Sequence, residues 1–300
     1  MARTKQNTEY ITGIDIGSHN IRVAVGQVAS SDTERVVQII GAVEVPSEGV
    51  QKGVITSIEE VVSSLAHAIE TAEKITGVPI EQVWVGLSGT HIIAQDSKGV
   101  IAVARSDGEI TEEDVGRALE ASKTVATPLN YEILHVLPRS FSVDGQTGIK
   151  DPVGMTGIRL EVDTKIIYGV TAHIKNLSKA IYRAGVGIDD FVLSVLAAGD
   201  VVLTSRQKEL GAAVINIGGA TTSLVVYEEG DILHTAVLPV GAGHITNDLA
   251  LGLKTSIDIA ERVKIEVGAA MTEIENPPAD YAVQGRDLMS GIPKEVYISY

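Results

Sequence analysis

The stretch "GAAVINIGGATTSLVVYEEGDI", Gly211 to Ile232, sets a glycine pair and two threonines between two apolar runs, and "ITGIDIGSHNIRVAVGQV", Ile11 to Val28, repeats the arrangement near the other end of the chain. β-Branched runs on both sides of a tight polar turn predict a strand–turn–strand unit. Made twice in 300 residues, it predicts two related α/β halves. Glycine in such turns permits positive φ and close approach, and leaves backbone N–H groups pointing outward, where anions bind. One such turn alone reads most simply as a hairpin; the repetition favours phosphate binding. Ser18, Thr221 and Thr222 would then add donors, and the Asp15 carboxylate would hold a hydrated Mg²⁺. A Walker A loop is absent, so a nucleotide-binding fold of another kind is expected.

The 39 acidic against 24 basic residues give a net charge of −15, which excludes a protein that coats nucleic-acid phosphates. No nucleic-acid partner is expected. Without cysteine, disulfides, thiolate metal sites and cysteine nucleophiles are all excluded. "MARTKQNTEY" lacks the apolar core of a signal peptide, and no run approaches the ~18 apolar residues of a spanning helix. A soluble, cytoplasmic protein is expected.

A third strand, "VVQIIGAVEVP", precedes a helix in which Ile58, Val61, Val62, Leu65, Ile69, Ala72 and Ile75 fall at helical spacing. Its cap is Thr56 with Glu59 or Ser57 with Glu60, and Gly77 stops it. "QVWVGLSG" follows as a strand, with Trp84 expected in the core. From Thr90 to about Ile167 short strands surround one helix, capped by Thr111 with Asp114, and this reads as an inserted subdomain. "YGVTAHIKNLSKAIYRAGVGIDDFVLSVLAAGDVVL" returns to strand, helix, a Gly185 stop, strand and a helical start. Beyond the second turn, "GHITNDLALGL" and "SIDIAERVKIEVG" read as helices, and the polar "NPPADYAVQGRDLMSGIPKEVYISY" ends as a further element begins, so truncation is expected. Asp200 reads either as a helix-start aspartate stabilised by the helix dipole or as an acid facing a cleft, where it orients water toward a γ-phosphate. Glu261 and Lys264 share one helix face, either to contact ribose or adenine or as a surface ion pair.

In order, "DIGSHNIRVAV", "AGDVVL", "NIGGATTSLVVY" and "AERVKI" resemble the phosphate-1, connect-1, phosphate-2 and adenosine motifs of the actin/DnaK-type ATPase superfamily. "LHVLPRSFSVDGQTGIKDPVGMTGIRLE", Leu134 to Glu161, and "GVITSIEEVVSSLAHAIETAEKITG" resemble the bacterial cell-division family FtsA, and the likeness runs over essentially the whole chain. The resemblance implies an actin-like two-domain nucleotide-binding α/β fold of duplicated ribonuclease-H-like units with an inserted FtsA-type small subdomain. Residues 1–89 and 168–205 would form subdomain 1A, 90–167 the inserted 1C (SHS2-like), 206–242 subdomain 2A and 243–300 an incomplete 2B. ATP and Mg²⁺ are the implied cofactors. Asp15, Gly17, Ser18, His19 and Asn20 would bind phosphates, with the metal on Asp15, and Gly218, Gly219, Ala220, Thr221 and Thr222 would close the second loop. Asp200 takes the commonly acidic connect-1 position, the catalytic candidate, and Glu261 and Lys264 the nucleoside contacts.

Implied partners are the FtsZ C-terminal tail, docking on 243–300, further copies in an actin-like protofilament, and other divisome proteins. The family anchors to the cytoplasmic face of the inner membrane at the division site through a C-terminal amphipathic helix that these residues do not contain. Asn216 stands where the superfamily usually has Asp, so a Mg²⁺-directed carboxylate becomes a neutral amide, and at most weak ATPase activity is expected. The alternatives are a PilM-like pilus-assembly protein and a small-molecule kinase of the same superfold.

Overall fold

Alternation in "EYITGIDI" sends Ile14 and Ile16 to one sheet face and Gly13 and Asp15 to the other, and this division organises the first half of the chain. The computed structural model describes residues 9–30, 35–124, 127–269, 281–286 and 293–298. It comprises two compact units, Met1–Pro239 and Val240–Tyr300.

The first unit opens with β1 (Glu9–Ile16), β2 (Asn20–Ser30) and β3 (Arg35–Pro46), then a small hairpin of β4 (Val50–Gln51) and β5 (Val54–Ile55). Helix α1 (Ile58–Thr76) and strand β6 (Gln82–Leu87) follow. Of the two capping pairs, Ser57 with Glu60 is used: Glu60 N–H donates to Ser57 Oγ, while Gly77 closes the helix at φ 70°. Val61, Leu65 and Ala68 of α1 bury against Ile14, Ile16, Ile21 and Val23. Each large aliphatic side chain so removed from water contributes about 1.5–3 kcal/mol. Ile75 departs from the expected stripe and is 61% exposed. Trp84 departs too. Val83, Val85 and Leu87 are core, but Trp84 alternates to the Gly13–Asp15 face and stays 41% exposed.

The insert consists of β7 (Ile92–Ala102), α2 (Glu112–Lys123), β8 (Tyr131–Val143), β9 (Gln146–Ile149) and β10 (Arg159–Val170), in sheet order β7-β10-β8-β9. Its principal strands are long rather than short, because β10 pairs on both sides, from Arg159↔Ala102 to Gly169↔Ile92 with β7 and from Leu160↔Val143 to Val170↔Tyr131 with β8. Thr111 and Asp114 form the expected capping box. The Thr111 backbone N–H and hydroxyl, with Arg117 beside them, hold the Asp114 carboxyl down at about 2.

Next come α3 (Thr171–Arg183), β11 (Gly187–Leu193), α4 (Ser194–Val202), α5 (Ser205–Leu210), β12 (Ala212–Ile217), β13 (Thr222–Glu228) and β14 (Asp231–Leu238). The first sheet runs β11-β6-β1-β2-β3, with β6 parallel to both β1 and β11, and the second β12-β13-β14. Leu87, Ile92, Ile167, Leu193, Val225 and Tyr227 form one buried cluster that joins the first sheet, the insert root and the second sheet. The second unit holds α6 (Ala242–Leu253), α7 (Ile257–Val267) and the antiparallel pair β15 (Tyr281–Arg286) and β16 (Pro293–Ile298). Of the polar tail segment, residues 276–280, 287–292 and 299–300 lie outside the described residues.

Candidate functional site

The two glycine turns have the same geometry. Gly17 N–H donates to the Asn20 carbonyl at 3.0 Å, and Gly218 N–H to the Thr221 carbonyl at 2.8 Å. Ile16 faces Ile21 across the first turn as Ile217 faces Thr222 across the second, so every position recurs with one offset and Asn216 is the counterpart of Asp15. The turns also meet: a side chain at Gly219 would begin 3.2 Å from His19 Cβ, so glycine there admits the imidazole of the opposite loop. The amides of Ser18, His19, Gly219 and Ala220 make no hydrogen bond among the described residues. Facing turns with unpaired N–H groups form a receptacle for oxyanions.

Around the first loop, the Asn20 amide donates to Glu44, which also pairs with Arg22 at 2.8 Å. Ser18 Oγ accepts Gly53 N–H at 3.4 Å, so the hydroxyl bonds to the β4–β5 turn. A cavity of about 640 Å³ opens on the Trp84 face of the first sheet, with Asp15, Ser194 and Asn216 among its lining residues. Ser194 Oγ donates to Asp15 Oδ1 at 2.7 Å, and Gly86 leaves room for that contact, since a Cβ there would lie 2.7 Å from Ser194 Oγ.

Asp200 is not brought to this cavity. It lies in the last turn of α4 rather than at a helix start, its side chain is 71% exposed, and it pairs with Lys208 of α5 at 2.5 Å. The helix begins at Ser194, six residues before Asp200, and within it Gly199 packs its bare backbone against Tyr227, where a Cβ would come within 2.4 Å of the hydroxyl. Ser194 carries no acidic group to mark it; its signal in the sequence is a hydroxyl residue directly after the apolar "FVL" strand. In the second unit, Glu261 and Lys264 pair at 2.6 Å, and Lys264 also donates to Thr246 Oγ1 of α6 at 2.9 Å.

Two family models match the chain: the SHS2 domain inserted in FtsA, over residues 89–168, and the cell division protein FtsA, over residues 213–294. The cell division protein FtsA of Bacillus subtilis is 42% identical over 264 residues, which is 88% of this chain and 59% of that protein. Its counterpart from Neisseria meningitidis is 37% identical over 271 residues, 90% of this chain and 64% of that protein. The chain belongs to the FtsA family. It spans 59% to 64% of the length of these relatives.

Among solved structures, the PilM-PilN type IV pilus biogenesis complex superposes with TM-score 0.62 at 16% identity, over 85% of this chain and 69% of that one. MreB5 of Spiroplasma citri bound to ADP gives TM-score 0.52 at 16% identity, over 97% and 71%. These likenesses show the fold, which for this FtsA-family chain is the actin-like α/β fold with the FtsA-type insert. Beside the first loop stands one carboxylate, Asp15. Among the described residues no cluster of three or more His, Asp or Glu could hold a metal, and Mg²⁺ on a nucleotide is ordinarily held by one or two carboxylates, phosphates and waters. Asp15 supplies one such carboxylate, the loop amides can take phosphate oxygens, and Glu44 of the same cavity is engaged with Arg22 and Asn20.

Proposed function

We propose that this chain binds ATP with Mg²⁺ at the two facing loops, and that the nucleotide-bound form favours actin-like self-assembly and ties the FtsZ ring to the cytoplasmic face of the membrane. The observation that carries the reading is the duplicated turn, with one register and unpaired amides, and with Asp15 at the end of the strand that enters the first copy. Phosphates are received by the amides of Ser18, His19, Gly219 and Ala220, with Gly17, Asn20, Gly218, Thr221 and Thr222 shaping the turns. Asp15 holds the cation, which when bound neutralises charge on the phosphates. Ser194 fixes the carboxylate, and Asn216 offers an amide from the second loop. Asn216 brings no second carboxylate and Asp200 is engaged with Lys208, so turnover is weak and the chemistry is conformational. Glu261 and Lys264 are assigned to the nucleoside by the motif resemblance. The SHS2 match and the identity to cell-division proteins favour division over pilus assembly, since the PilM likeness carries the fold alone.

The FtsZ tail is assigned to residues 243–300, with other divisome proteins and the cytoplasmic face of the membrane as further partners. No helix among the described residues is long and apolar enough to cross a membrane. Fluorescence anisotropy with an FtsZ C-terminal-tail peptide, with and without Mg-ATP, tests the division role. Saturable binding that a scrambled peptide does not reproduce is expected; equal signals from the two peptides on a cooperatively melting sample would overturn it.

A further inference from the structure

His135, on β8 of the insert, accepts the backbone N–H of Leu193 on its Nε2 at 3.1 Å. Leu193 is the last residue of β11 and the N-cap of α4, and its side chain offers the helix no hydrogen bond. The next residue is Ser194, whose hydroxyl donates to Asp15 Oδ1 at 2.7 Å. Two consecutive residues thus link an imidazole of the insert to the carboxylate between the glycine loops.

We propose that His135 is a positioning residue of the cation site: by accepting the Leu193 N–H it fixes where β11 passes into α4, and so keeps the Ser194 hydroxyl on Asp15. The surroundings make this link stiff. Leu193 is buried in the cluster that includes Ile167, the cross-strand partner of His135, so the amide has little water to turn to if its acceptor is lost. Burial holds the His135 imidazole below its usual range, with Asp190 pulling the other way, and the neutral ring leaves Nε2 free to accept. A shift of the insert against β11 would then reach the cation site through two hydrogen bonds, His135 to Leu193 and Ser194 to Asp15. This link is independent of bound nucleotide; only its consequence for affinity rests on the nucleotide reading.

The experiment compares His135→Phe, His135→Gln, Ser194→Ala and the double variant of Phe and Ala. The first readout, without nucleotide, is the ¹³C resonance of the Asp15 side-chain carboxyl. His135→Phe and Ser194→Ala should move it in the same direction, and the double variant no further. Glutamine, whose amide oxygen can take the Leu193 N–H, should restore the wild-type position. The second readout is affinity for a fluorescent ADP analogue, expected to fall about 10-fold with Mg²⁺, the scale of losing a supporting group, and to hold steady in EDTA. An Asp15 resonance unmoved by His135→Phe overturns the proposal. Should that variant not fold, the wild-type ¹⁵N resonances of His135 decide: an unprotonated Nε2 supports the link, a protonated one overturns it. If the carboxyl moves as expected while the wild type binds no nucleotide, the nucleotide reading falls and the link stands.

Discussion

Replacing Asp15 with alanine is expected to lower ATP affinity in Mg²⁺ by more than about 100-fold, beyond the 10–100-fold typical of removing a group that merely supports a metal ligand. Asp15 is the carboxylate at the exit of β1, set on the sheet face away from α1 and held by Ser194. Its counterpart in the second loop is the neutral Asn216, which adds no charge for the cation. Removing Asp15 therefore takes away the carboxylate assigned to the cation, since Glu44 of the same cavity is engaged with Arg22 and Asn20. Stability should change little, because the loss leaves one serine hydroxyl short of an acceptor, a matter of about 1 kcal/mol. Calorimetric titration of wild type and variant, with melts of both, checks this; unchanged affinity in the variant would remove the loops from the nucleotide assignment.

Gly99→Val should destabilise the insert by about 3 kcal/mol or more, at the upper end of the cost of overpacking. A Cβ at Gly99 would lie 1.9 Å from the Ala118 carbonyl oxygen and 2.9 Å from the Ser122 amide nitrogen. Both atoms belong to the backbone of α2, which cannot swing aside as a side chain does. The helix must lift from β7, opening the contacts of Ala118 with Phe141, Leu160 and Val162 and lengthening the 2.7 Å bond from Ser97 Oγ to the Ser122 carbonyl. Gly116 on the same helix is the control: a Cβ there meets nothing within 4 Å, so Gly116→Ala should stabilise by roughly 0.5–1 kcal/mol through helix propensity. Urea denaturation of the two variants measures both; a small cost at Gly99 would mean that α2 does not sit so tightly on β7.

Local patterns read well from the sequence and distant ones did not. The paired turns, the Thr111–Asp114 box and the Gly77 stop are each written within a few consecutive residues. The start of α4 is not, because it depends on how far β11 extends beside β6, a strand about a hundred positions earlier in the chain. The local pattern therefore points to Asp200 and not to Ser194. Trp84 differs for a related reason: alternation assigns it a face, and which face α1 and α3 cover is a tertiary fact. The strand lengths of the insert likewise follow from pairing across long separations. The bond from Leu193 to His135 spans 58 positions, and no local pattern announces it.

The most direct test of the central claim is calorimetric titration of ATP into the wild-type protein with Mg²⁺ and again in EDTA. One saturable site per chain that weakens strongly when Mg²⁺ is removed is the predicted result. No binding in either buffer, or an affinity indifferent to Mg²⁺, would contradict the account of Asp15 and the two facing loops.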